Sequence, residues 1–511
     1  MTEYLFETIP ALLARGEADA PAIGAPDRPA LTYAGLRDLV ERTVTALNGM
    51  GIGCGDRVAI VLPNGPEMAA AFVAIACGAT TAPLNPGYRA AEFEFYLADL
   101  GAKALIVLQG AESEARAAAA ARGTPVIELA PEADGAAGLF TLRPAQAIEG
   151  TPARPGMAGA DDVALVLHTS GTTSRPKIVP LRHINVTASA QHIGQALALG
   201  PQDVCLNIMP LFHIHGLIAA VVSSLAAGGT VVCSPGFNAF RFFAWMAAIR
   251  PTWYTAVPTM HQAILGLAGR NRAAIEAGRL RLIRSSSASL PAQVMTDLEA
   301  TFGVPVIESY GMTEAAHQMA SNPMPPRQRF PGSVGIAAGP EVAIMDEGGA
   351  LLPQGALGEV VIRGRNVTDG YENNPKANAS GFINGWFRTG DQGSLDAGGY
   401  LRLTGRLKEL INRGGEKISP LEVDEILMDH PAVGQCLTFA LPHAKLGEEV
   451  AAAIVLREGK TVDEHTLRDF AATRLAAFKV PRRIVFLEEI PKGATGKLQR
   501  IGLAQKLGLT T

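Results

Sequence analysis

Short apolar runs alternate with longer helical patterns through most of the chain. Arg57–Leu62 (RVAIVL) reads as a strand, Pro63-Asn64-Gly65 as a turn and Glu67–Cys77 as a buried helix. Ala104–Leu108, Val163–Leu167, Val204–Met209, Thr230–Cys233, Leu280–Ser285 and Val304–Ile307 read as further buried strands. Short, almost continuous apolar runs of this kind suit strands covered on both faces. Strands alternating with helices predict an α/β fold with parallel-sheet layers. Ala111–Arg122 reads as a surface helix, and Ala130–Pro155, rich in Ala, Gly and Pro, as a loop or linker.

The texture changes after Phe330. Glu341–Met345, Gly358–Arg363 and Tyr400–Leu403 are short segments that alternate with Gly-Gly and Asn-Gly turns. They predict hairpins or a small β-barrel-like part. From Gly405 onward the helical segments Leu421–Asp429 and Val462–Leu475 alternate with strands at Gln435–Leu441, Val450–Leu456 and Arg483–Leu487. This is a small α+β unit of ordinary domain size. The expected organisation is a large unit at 1–404, a boundary at 405–409 and a small unit at 410–511.

With 511 residues, 48% of them hydrophobic and 18% charged, the chain is globular and long enough for two domains. The net charge of −4, from 44 basic and 48 acidic residues, makes no general case for nucleic acid or an anionic membrane. The five cysteines (Cys54, Cys77, Cys205, Cys233, Cys436) are scattered and form no C-x-x-C. They read as reduced, mostly buried thiols of a cytoplasmic protein. Glu3 and Glu7 stand where a secretory leader would be basic and then apolar. Val204–Phe240 has no Asp, Glu, Lys or Arg, but Pro210, His213, His215, Gly228 and Gly229 interrupt it. A spanning helix needs about twenty mostly apolar residues, so a buried strand–helix–strand core is expected there. Monomer and homodimer both remain open.

The strand at Val163–Leu167 runs into His168-Thr169-Ser170-Gly171-Thr172-Thr173-Ser174-Arg175-Pro176-Lys177. Gly171 permits close backbone approach, and successive N–H groups in such a loop form an anion-binding concavity. The hydroxyls and Lys177 add donors and charge. A flexible surface loop has the same composition, and a Walker A pattern cannot be laid on it. Four further stretches are unusually polar: Glu308-Ser309-Tyr310-Gly311-Met312-Thr313-Glu314, Gly385–Asp391, Gly405–Lys417 and Pro491–Lys497. The first, following Val304–Ile307, is placed at a strand's end, where open α/β sheets bind ligands. Each alone also reads as a turn, a capping pair, a solvated charge run or a loop lysine.

Taken together, in this order and spacing, the five motifs resemble the ANL superfamily of adenylate-forming enzymes, which includes acyl-CoA synthetases, peptide-synthetase adenylation domains and firefly luciferase. The resemblance covers nearly the whole chain. Thr252–Thr259, Arg284–Leu290, Met312–His317 and Glu409–Pro420 are similar to the oxalate–CoA ligase subgroup of plants and fungi. The resemblance implies an N-terminal adenylation domain, a hinge at Lys408 and a mobile C-terminal lid. It implies two half-reactions with ATP, Mg²⁺ and coenzyme A, in which a carboxylate first becomes an acyl-adenylate and then a thioester.

It also implies roles. Lys497 would bridge the carboxylate and the α-phosphate. Thr169, Ser170, Gly171, Thr172, Thr173 and Lys177 would hold the β- and γ-phosphates. Thr313 and Glu314 would meet the α-phosphate, with Glu314 and Thr172 at Mg²⁺. Ser287, Ala288, Ser289, Glu308, Ser309, Tyr310 and Gly311 would form the adenine slot, Asp391 would take the ribose hydroxyls and Arg406 would lie nearby. Gly414, Gly415 and Lys417 would meet coenzyme A. Ser174, and Ser287-Ala288-Ser289-Leu290, depart from the usual glycine and Gly-Ala-Ala-Pro at those places.

The acid falls to His213, Ser287 and His317, with His213 also in the family's gating position. A dianion such as oxalate keeps one carboxylate unreacted, and that group needs donors when desolvated. His213 and His215 as a strand-borne metal pair is a rival reading, and a core role for His215 another. Alternatives for the whole chain are a ligase for malonate or another short or medium-chain acid, an enzyme loading a separate carrier protein, and a nucleotide-binding sensor.

Overall fold

The computed structural model describes residues 5–132, 134–148, 150–169, 176–492 and 498–509. Ser170, Gly171, Thr172 and Thr173 of the expected phosphate loop, and Lys497, lie outside the described residues.

The described residues form four sheets. In a seven-stranded sheet, Val126–Pro131, Ala104–Leu108, Arg57–Val61, Thr80–Pro83 and Val163–His168 run parallel in that spatial order. Antiparallel strands Phe140–Pro144 and Ile178–Arg182 close its edges. The central strands are buried on both faces, as their apolar runs require. The edge strand Phe140–Pro144 corrects the expectation of a loop or linker over Ala130–Pro155. Its pairing with Val126–Pro131 overrides a Gly/Pro-rich composition.

In a nine-stranded sheet the parallel core runs Val306–Met312, Leu282–Ser285, Trp253–Ala256, Val204–Asn207, Thr230–Cys233 and Pro21–Ala25. From Val204–Asn207 the chain crosses to Thr230–Cys233 on one side, then to Trp253–Ala256 on the other. Such a switch point opens a crevice at the carboxyl ends of the strands. The crossover between the first two contains a buried π-helix, His215–Val222. His213 sits in a bend just before it. Neither histidine is on a strand, so the geometry assumed for a metal pair is not present. Strand Val306–Met312 is longer than expected and takes in Glu308–Gly311, which therefore lie within a buried strand and not beyond its end.

A curled antiparallel sheet holds Glu341–Met345, Gly358–Arg363, Trp386–Leu395 and Leu401–Arg406. Arg406 is the last residue paired to it, and the next strand, Ile411–Arg413, belongs to a different sheet. That sheet contains Val433–His443, Gly447–Leu456 and Arg483–Phe486 and is covered by Pro420–Met428 and Glu464–Ala472. It packs around its own core of Ile411, Val423, Leu427, Val450, Ile454 and Leu467, as a separate domain does. All five cysteines are free and buried. Among the described residues no helix is long and apolar enough to cross a membrane.

Candidate active site

A cleft of about 570 Å³ lies where the carboxyl ends of the nine-stranded core, the curled sheet and the C-terminal domain meet. Strands Val163–His168 and Ile178–Arg182 bring the two ends of the expected phosphate loop together. The Thr169 N–H donates to the Lys177 carbonyl at 2.9 Å, so the loop's neck is closed by the strand pairing itself. Thr169 lines the cleft. The Lys177 ammonium lies 4.2 Å from the centroid of the Tyr371 ring, a cation–π distance. Burial pushes its pKa down, opposed by the charge of Glu314. The Tyr371 hydroxyl donates to Glu314 at 2.8 Å, and Glu314 and Thr313 both face the cleft. A charged amine and a carboxylate thus share one end of the site. A carboxylate beside a polyphosphate suits Mg²⁺, which takes oxygen ligands from one or two carboxylates and the phosphates themselves.

The nucleotide side is built from three strands. Tyr310 on Val306–Met312 donates its hydroxyl to Asp391 on Trp386–Leu395. Arg406, at the end of Leu401–Arg406, donates from Nε to the same carboxylate at 3.0 Å. Asp391 holds the Arg406 pKa above its ordinary value. Tyr310, Asp391, Arg406, Ser287, Ala288, Ser289, Ser309 and Gly311 all line the cleft. Glu308 behaves differently. Its carboxylate accepts from the Leu290 N–H at 2.8 Å, anchors the 286–290 loop from behind and does not line the cleft. Burial pushes its pKa up to about 8.

The acyl end is the least anticipated part. His213 and Ser287 line the cleft, but His317 is buried one layer back, behind Gly311. A Cβ on Gly311 would stand 1.8 Å from the His317 carbonyl oxygen, so only glycine allows this approach. Behind Ser287 lies a polar cluster. His215 Nδ1 is 3.0 Å from Ser287 Oγ, and His215 Nε2 is 2.6 Å from Thr255 Oγ1. Arg284 reaches Thr255 at 3.3 Å, His215 Nε2 at 3.4 Å, His317 Nδ1 at 3.4 Å and Gln318 Oε1 at 3.0 Å. Arg284 is 0% exposed, burial pushes its pKa down to about 9, and among the described residues no carboxylate pairs with it. Ser287 and His317 hold positive φ, +74° and +96°, an uncommon conformation that surrounding contacts must enforce. Sequence reasoning gave Arg284 no role. The available signal was an arginine inside an apolar buried strand, Leu282-Ile283-Arg284.

The C-terminal domain closes the remaining wall. Leu498, Gln499 and Arg500, which directly follow Lys497, line the cleft, as do Asp424 and Glu425. Arg500 pairs with Asp424 at 2.6 Å and with Glu409 at 3.4 Å, and Gln262 donates to the Gly434 carbonyl at 3.3 Å across the domains. Lys408 stands in the turn between the two sheets. Gly414 and Gly415 form the tip of the hairpin Ile411–Arg413/Glu416–Ile418, both at positive φ (+60° and +97°), as a primed two-residue turn requires. They are not among the cleft's lining residues, and Lys417 faces Glu347 at 3.9 Å.

The chain matches the family model for AMP-binding enzymes over residues 13–372 and that for the AMP-binding enzyme C-terminal domain over 422–497. It is 48% identical to a probable CoA ligase, CCL9, of Humulus lupulus, over 92% of this chain and 90% of that one. It is 45% identical to the oxalate–CoA ligase of Arabidopsis thaliana, with 95% of each chain covered. The oxalate–CoA ligase of Saccharomyces cerevisiae is 42% identical, over 88% of this chain and 86% of that one. Among solved structures, ATP-bound MatB of Rhodopseudomonas palustris superposes with a TM-score of 0.87 at 31% identity, covering 98% of this chain and 99% of that one. Its apo structure gives 0.78. The chain belongs to the AMP-binding enzyme family, the adenylate-forming superfamily that its five motifs resemble.

Proposed function

We propose that this chain is an oxalate–CoA ligase that alternates between two domain arrangements. The chain is an ATP-dependent, AMP-forming acid–CoA ligase. A carboxylate is a poor acylating agent because its leaving group is oxide. Transfer of AMP from ATP gives the acyl carbon a good leaving group, which the coenzyme A thiol then displaces.

Attack of an anion on a polyanion calls for charge neutralisation and positioning more than for covalent catalysis. Lys497 bridges the attacking carboxylate and the α-phosphate. Thr169, Ser170, Gly171, Thr172, Thr173 and Lys177 grip the departing pyrophosphate. Thr313 meets the α-phosphate, and Glu314 with Thr172 holds Mg²⁺, which supplies positive charge to the phosphates. Asp391 accepts from the ribose hydroxyls, while Arg406 and Tyr310 fix its orientation. Rotation about Lys408 then withdraws Lys497 and brings Gly414, Gly415 and Lys417 to the coenzyme A path. The higher TM-score against the ATP-bound neighbour supports reading the present arrangement as the adenylating one.

The observation that carries oxalate is the buried, carboxylate-free Arg284 cluster behind Ser287, which suits a second anionic group and not an alkyl chain. The relatives named for oxalate support it. Pyrophosphate release measured over oxalate, malonate, acetate, medium-chain and aromatic acids, with and without coenzyme A, tests it. Oxalate is expected to give the highest kcat/KM. Turnover of medium-chain acids without oxalate would contradict it.

A further inference from the structure

Arg284 contributes more than charge to the acyl end. A guanidinium only donates hydrogen bonds. The atoms within its reach must therefore accept: Thr255 Oγ1, His215 Nε2, His317 Nδ1 and Gln318 Oε1. Tautomers follow from such networks. His215 Nε2, accepting from Arg284, carries no proton, so Thr255, 2.6 Å away, is the donor to that nitrogen. The proton of the neutral His215 ring is then on Nδ1, which donates to Ser287 Oγ at 3.0 Å. Ser287, having accepted, has its own hydroxyl hydrogen left for the cleft that it lines. With the opposite tautomer, Ser287 would have to donate to Nδ1 and would present lone pairs to the cleft. Lone pairs repel an anion.

We infer that Arg284 is a positioning residue that sets Ser287 as a hydrogen-bond donor, through Thr255 and His215, and so makes the cleft select acids bearing a second anionic group. His317 is held by the same guanidinium: with Nδ1 accepting, its ring proton is on Nε2. The inference rests on the proposed dianionic substrate and adds to it the group that creates the selectivity.

The test is a double-mutant cycle on the full chain with Arg284→Met, Ser287→Ala and the pair, reading KM for oxalate and for ATP. Wild-type turnover confined to monoanionic acids would overturn the substrate reading and this inference together. If oxalate is turned over, each single change is expected to raise its KM about tenfold, the worth of one hydrogen bond to a charged group, and Arg284→Met, outside the cleft lining, is expected to keep the KM for ATP within about twofold. The pair is expected to be no worse than about tenfold, because Arg284→Met has already removed the donor that Ser287→Ala deletes. An effect of about a hundredfold in the pair, the product of the singles, would overturn the inference and leave the substrate reading intact. Should Arg284→Met not fold, the near-isosteric Thr255→Val replaces it in the same cycle. An unchanged oxalate KM in that variant, or a product of effects in its pair, would overturn the inference equally.

Discussion

The Tyr310 hydroxyl donates to the Asp391 carboxylate and thereby ties the nine-stranded core to the curled sheet. Arg406, the last residue before the connection to the C-terminal domain, donates to the same carboxylate. Replacing Tyr310 with Phe leaves buried Asp391 one partner short. The expected result is a loss of about 1–3 kcal/mol in unfolding free energy, the penalty for a buried group that loses its partner. KM for ATP rises while KM for oxalate holds. Urea unfolding and steady-state kinetics check both, and unchanged values for stability and ATP would refute the assigned role.

Glu308 predicts a pH dependence of stability. Its pKa is raised from about 4.3 in the unfolded chain to about 8 in the fold. Between those values the folded chain keeps a proton that the unfolded chain has lost. The contribution is full below about pH 4.3 and falls as pH rises towards 8, by up to about 1.4 kcal/mol per unit. Glu308→Gln keeps an acceptor for the Leu290 N–H but carries no titrating proton. The variant is therefore expected to gain stability relative to wild type between pH 5.5 and 8. An equal difference at both pH values would contradict the buried, protonated carboxyl.

Lys497 is assigned to the first half-reaction alone. Lys497→Ala is expected to lower oxalate-dependent pyrophosphate release by at least about a hundredfold, the scale of one lost electrostatic donor at a transition state. Thioester formation from chemically prepared oxalyl-adenylate should change little. Equal loss of both steps would count against withdrawal of Lys497 between them.

Lys408 offers the complementary perturbation. No backbone hydrogen bond is donated by its N–H among the described residues, so proline there removes none. Proline restricts both its own φ and the preceding residue. Lys408→Pro should retain a first burst of pyrophosphate and lose steady-state thioester synthesis. Steady-state turnover at the wild-type rate would place the pivot elsewhere.

The parallel strands were legible because their neighbours bury both faces, which forces continuous apolar runs such as Ala104–Leu108 and Thr230–Cys233. The curled sheet was legible from the Gly-Gly and Asn-Gly turns that set off short segments such as Glu341–Met345 and Gly358–Arg363. Phe140–Pro144 was not, because an edge strand needs pairing on one side only and tolerates loop-like composition. The cleft residues Thr169, Ser287, Thr313 and Glu314 could be named from their motifs, each just past the end of a strand, whereas Tyr310 and Asp391 stand within strands. The cluster around Arg284 could not, because its partners His215, Thr255 and Gln318 come from different elements and meet only through the sheet order. Glu308 reads as a ligand contact in its motif, yet its carboxylate holds the neighbouring loop.

The most direct test is the product itself. Incubation of the purified chain with oxalate, ATP, Mg²⁺ and coenzyme A should yield oxalyl-CoA, identified by mass, with one AMP and one pyrophosphate formed per thioester. Omission of coenzyme A should leave oxalyl-adenylate bound to the protein. Formation of ADP, or of an acyl-CoA from medium-chain acids with none from oxalate, would contradict the account.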